Sequence, residues 1–105
     1  MSKSELLVVV SDLHCGSDVG LLPPSSELFT GNTVGIGKNY AQEWLWDCWT
    51  DAIKQVKKIA AKDPITLLIN GDVVEGIHHR SAEVISAAIE EHTEIAIECL
   101  KPLTS

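Results

Sequence analysis

Asp12 and His14 stand two residues apart just after the apolar run Leu6–Val10, and Asp72 follows the apolar run Ile65–Ile69 in the same way. Each acid comes directly after a small residue, Ser11 or Gly71. Two carboxylates and an imidazole are donors suited to a divalent ion such as Mn, Fe, Zn or a similar metal, one or two per site. Two carboxylates about 4 Å apart, at an effective dielectric near 20, repel by roughly 4 kcal/mol. One of them must then hold a proton unless a cation lies between them. The competing reading is plainer: the acids cap the turns after two strands, and His14 is a solvated loop residue. The matching phase of the two segments favours the metal site.

That chemistry requires the two strand ends to meet. Leu6–Val10 and Ile65–Ile69 are continuous apolar runs, expected of parallel strands covered on both faces. Between them, Ala41, Leu45, Cys48, Trp49, Ala52, Ile53, Val56, Ile59 and Ala60 repeat at helical spacing, with Asn39 as N-cap, Gln42 in the capping box and Asp63-Pro64 as the stop. A second amphipathic helix is expected over residues 82–100, capped by Ser81, with Lys101-Pro102 ending it. The order is β-α-β-α, an α/β chain whose parallel strands place both carboxyl ends at one edge, where open α/β sheets bind ligands. An extended backbone through Asp12-Leu13-His14 would turn both polar side chains to one side. Residues 15–38 are rich in Gly, Pro, Ser, Thr and Asn without periodicity, the pattern of a lid or a mobile flap.

Composition narrows the function classes. The chain has 105 residues, 45% hydrophobic and 22% charged, which suits one globular domain over residues 1–105. A net charge of −7 argues against a nucleic-acid surface made of basic side chains, leaving nucleic acid only as a substrate. No run approaches the ~20 apolar residues of a membrane span, and the amino terminus lacks the pattern of a secretory signal. Cys15, Cys48 and Cys99 are odd in number and lack paired zinc spacing, so reduced thiols and a cytoplasmic location are expected.

SDLHCGS and LLINGDVVEG together resemble the first two signature motifs, D-x-H and G-D-x-x-[DE]-G, of the calcineurin-like metallophosphoesterases. The tryptophan-rich YAQEWLWDCW segment is similar to the phage-encoded members. The resemblance runs from about Leu6 to Leu100. It implies the first half of an α/β/β/α sandwich, hydrolysis of phosphomonoesters or phosphodiesters, Asp12 and His14 on a first metal, and Asp72 bridging two. The family's later G-N-H-[DE] and G-x-H motifs are missing, so the chain looks like a shortened, N-terminal half of such a domain. The alternative function is a non-catalytic binding or regulatory protein on that scaffold.

Several other residues carry more than one reading. His78, His79 and Arg80 follow the second motif, where Arg80 could meet a phosphate oxygen and His79 could act as ligand or acid; equally, they form a polar loop opening the second helix. His92 falls on an apolar stripe and is expected in the core. Cys15 is either a soft ligand or a small buried hydrophobe. GNTVGIGKN is out of register for a P-loop, which excludes an ATPase on this motif. Trp44, Trp46 and Ile97 lie off the helical stripes, and two strands make a poor sheet alone, so a homodimer or another protein partner is expected to cover them.

Overall fold

The computed structural model describes residues 5–17, 19–24, 26–27, 33–34, 40–75 and 89–104. Strand β1 (Leu6–Val10) and the short strands β2 (Ser26–Glu27) and β3 (Thr33–Val34) precede helix α1 (Tyr40–Ala60). Strand β4 (Ile65–Ile69), helix α2 (Ile89–Leu100) and a 3-10 turn at Lys101–Leu103 follow. β1 and β4 pair in parallel, from Leu6 opposite Ile65 to Val10 opposite Ile69, while β2 and β3 form a small antiparallel pair. The expected α/β class and strand-helix-strand-helix order of the main elements are present. The expected start of the second helix, residues 82–88, lies outside the described residues.

β-branched and leucine side chains favour the two main strands. α1 carries Glu43 in its first turn and Lys57 and Lys58 in its last, in line with the helix dipole. It ends with Ala61 in a left-handed conformation, φ 53°, its amide donating to the Lys57 carbonyl at 2.9 Å. Glycine normally takes that place, because a Cβ there costs about 1 kcal/mol. Pro102 enters at the start of the 3-10 turn and closes α2.

The core lies beyond the carboxyl ends of the strands rather than over the sheet. Cys15, Leu21, Leu22, Ile95, Ala96 and Cys99 are its buried residues, with Leu13, Trp46, Trp49, Val73 and Val74 packed against them. This corrects the expectation that both sheet faces are covered. β1 alternates between half-buried and exposed residues; Leu7 and Val9 are exposed, as is Leu68 opposite Val9 on β4. One face of the pair is therefore apolar and open among the described residues.

The first part of the expected 15–38 lid is packed instead, while residues 18, 25, 28–32 and 35–38 of it lie outside the described residues. Cys15, Gly16, Ser17 and residues 20–23 are buried, and Leu22 is only 1% exposed. The physical reason is a set of single, close contacts. Gly16 lies so near the His92 ring that a Cβ would come within 2.3 Å of it, at φ 103°. Gln42 donates its side-chain amide to the carbonyls of Ser17 (3.1 Å) and Gly20 (2.9 Å), so it ties the segment to α1; the expected cap, Asn39, lies outside the described residues. The expected stripe of α1 holds at Trp49, Ile53 and Ala60 and departs at Gln42, Trp46, Cys48 and Ile59. Gln42, Ile53 and Ala60 are buried and Trp46 and Trp49 face the core, whereas Cys48 and Ile59 are exposed. Trp44 and Ile97 stay exposed, and His92 is fully buried, as expected of a core histidine.

Candidate metal centre

The ladder between β1 and β4 continues past both strands. Backbone amides of Asp12, His14 and Cys15 donate to the carbonyls of Gly71 (3.1 Å), Asp72 (2.9 Å) and Val73 (3.0 Å). In return, Asn70 and Glu75 amides donate to Val10 (2.8 Å) and Cys15 (2.9 Å). The two acidic turns are thus zipped to one another, and side chains 58 to 60 residues apart in sequence become neighbours.

Asp12, His14 and Asp72 each offer one ligand atom, and these atoms all lie within 4.8 Å of one another. All three residues have left-handed backbone, with φ of 59°, 47° and 50°. Asx and His tolerate that region better than most residues, yet it is uncommon outside glycine, and such conformations concentrate at functional sites. The expected extended path through Asp12-Leu13-His14 is corrected by these angles: two successive kinks, not a flat strand, bring the side chains together. The acids are exposed and His14 is partly so, leaving the group open to solvent and ions.

Glu75 completes the arrangement. His14 Nδ1 lies 2.8 Å from Glu75 Oε2. An ionised carboxylate only accepts, so Nδ1 carries the proton and Nε2, 3.6 Å from Asp12 Oδ1, keeps its lone pair for a cation in the neutral ring. A carboxylate behind a ligating imidazole commonly fixes the tautomer and raises donor strength. The hydrogen bond to Glu75, opposed by partial desolvation and reinforced by the charges of Glu75, Asp72 and Asp12, raises the His14 pKa above its ordinary value. The Asp12 carboxyl is held below its ordinary range, chiefly by the Ser11 hydroxyl, which donates to it at 2.8 Å, and next by Asp72. Glu75 stands in the GDVVEG motif, but its role depends on a contact with His14 across 61 positions. Local periodicity carries no trace of such a contact.

The donor set fits a divalent ion: two carboxylates and one oriented imidazole, converging and solvent-accessible. Cys15 does not join it. Its side chain is buried against the core beside Cys99, whose thiol is pushed well above its ordinary pKa by Cys15 and by burial. Cys15, Cys48 and Cys99 are all free thiols. His78, His79 and Arg80 lie outside the described residues. A cleft of about 530 Å³ is lined by Asp12, His14 and Glu75 together with apolar residues that include Val19, Leu45 and Trp49. Among the described residues no helix is long and apolar enough to cross a membrane. Comparison with known protein families, curated proteins and solved structures finds no match to the chain.

Proposed function

We propose that the chain is a metal-dependent phosphoesterase domain of calcineurin-like type, acting on phosphomonoesters or phosphodiesters. The observation that carries this reading is the convergence of Asp12, His14 and Asp72 within 4.8 Å, each on left-handed backbone. Their positions in D-x-H and GDVVEG supply the link to phosphate chemistry. In this reading Asp12 and His14 hold the first of one or two Mn, Fe, Zn or similar ions, and Asp72 reaches both. A bound divalent ion supplies the positive charge that polarises a phosphoryl oxygen and acidifies water. The chain's own part is to hold that charge: Asp12 and Asp72 neutralise it, while Glu75 keeps His14 Nδ1 protonated and Nε2 available. His78, His79 and Arg80 follow Glu75 by three to five residues and are the proposed substrate contacts. Free thiols suit a reducing compartment and support a cytoplasmic location.

The open face carrying Leu7, Val9 and Leu68 favours a second reading, a binding scaffold that engages a protein partner or a second copy of itself. Metal content of the protein equilibrated with Mn²⁺ or Zn²⁺, measured beside hydrolysis of a generic aryl phosphodiester, separates the two. Stoichiometric metal that is lost in Asp72→Asn, together with turnover, supports the phosphoesterase. Absence of metal and of turnover supports the scaffold.

A further inference from the structure

The cleft beside Asp12 and His14 has a lining of two kinds, ionisable side chains and a larger set of apolar ones. Of the metal centre, Asp12 and His14 line it, together with Glu75 behind the imidazole. The remaining wall is formed chiefly by Leu13, Val19, Leu21, Leu45, Trp49 and Ala52. The Trp49 indole is held in this wall by a 3.0 Å hydrogen bond from Nε1 to the Cys99 carbonyl. The Ser17 and Gly20 carbonyls each already accept a hydrogen bond from Gln42, and the Ser17 hydroxyl accepts one from the Val19 amide at 3.2 Å. These polar groups are committed to the fold. Among the described residues, no Lys or Arg lines the cleft. A second phosphate lying along these described lining residues would meet no countercharge from them. The volume of about 530 Å³ lies in the ordinary range for small-molecule sites, roughly 300–1,000 Å³.

We infer that the cleft receives the apolar group of a phosphate ester bearing one phosphate and one compact aryl or alkyl substituent. The phosphate sits at the Asp12–His14–Asp72 centre, and the substituent lies against Val19, Leu45 and Trp49. This rests on the metal-centre reading above and adds the substrate class. Nucleoside polyphosphates and nucleic-acid strands are poorer ligands, because their further charges would lie along an apolar wall.

The test compares phenylphosphonate, methylphosphonate and pyrophosphate binding to the Mn²⁺-equilibrated chain by calorimetry, with Mn²⁺ binding measured separately. Moving a phenyl ring out of water is expected to favour phenylphosphonate over methylphosphonate by at least ~tenfold. Pyrophosphate is expected to bind no tighter than methylphosphonate. In Val19→Asn, at a position 60% exposed and so safe for folding, and in Leu45→Asn, the phenyl preference falls below about threefold with Mn²⁺ affinity unchanged. Mn²⁺ uptake with equal affinity for the two phosphonates overturns the substrate class and leaves the metal centre standing. A phenyl preference that survives in both variants places the ring elsewhere and also overturns it. Failure to take up Mn²⁺ overturns the metal centre, and this inference falls with it.

Discussion

The two arms of the metal centre are supported in opposite ways. The arm after β1 carries Asp12 and His14 and runs directly into the core, where Cys15, Leu21 and Leu22 are buried and Gly16 lies on the His92 ring. The arm after β4 carries Asp72 on an exposed turn, where a Cβ at Gly71 would meet nothing within 4 Å. Backbone pairing joins them; the second arm is held beyond Asp72 by Val73, Val74 and the Glu75–His14 bond, but only the first carries fully buried residues. The ligating side chains of both arms are open to solvent, but in the first arm the residues that follow His14 are buried, so substitutions there act on stability first.

Substitutions can break or sharpen that contrast. The largest effect is expected from Gly16→Ala, which adds a Cβ 2.3 Å from the His92 ring at a left-handed position. Overpacking and backbone strain together should destabilise by about 3 kcal/mol, read from denaturant unfolding. A loss below about 1 kcal/mol would mean that the anchored arm is not anchored. Gln42→Ala leaves the Ser17 and Gly20 carbonyls without that donor and is expected to lose about 2 kcal/mol in the same assay. Asp72→Asn, on the open arm, should weaken Mn²⁺ binding by at least ~tenfold, about 1.4 kcal/mol, more than His78→Ala does. Its melting temperature without metal should stay within a degree or two of wild type; unchanged Mn²⁺ affinity would remove Asp72 from the site.

The smaller effects probe the open arm and the joint between the arms. Gly71→Ala, at φ 83° with free space around it, should lose only about 1 kcal/mol of backbone strain. A loss matching that of Gly16→Ala would erase the contrast. The smallest effect is electrostatic. In metal-free protein the His14 imidazole should titrate above its ordinary 6.5, followed by NMR, and fall back toward that value in Glu75→Gln. Because the folded-state value is raised, this pairing stabilises fully below pH 6.5 and its contribution disappears as pH rises through the His14 pKa. The ring is 41% exposed, so solvent screening keeps the contribution small.

Much of the strand geometry was legible because β runs are local. Leu6–Val10 and Ile65–Ile69 occupy their expected positions, and their parallel pairing brings Asp12, His14 and Asp72 together. The anchored arm was not legible, because burial there has no period: Gly16 lies on the His92 ring, the Ser17 carbonyl takes the Gln42 amide and the Leu21 amide donates to the Leu13 carbonyl. The stripe of α1 is legible at Trp49, Ile53 and Ala60; it fails at Ala41, Cys48 and Ile59, which share the helical spacing yet stay exposed, and at the polar Gln42, which is buried by its two backbone acceptors. Left-handed angles at Asp12, His14 and Asp72 were invisible because composition signals that conformation mainly through glycine.

The bond between His14 and Glu75 joins residues 61 positions apart. Closing a loop of that length costs roughly 3–4 kcal/mol in its length-dependent entropy alone. The chain must meet that cost before any long-range contact at the site repays it, so assembly of the centre is a late and slow step relative to forming α1. A cation held by both arms would act on folding as a clip across that loop: scarcely altering the rate at which the ends first meet, but lengthening the time they stay together.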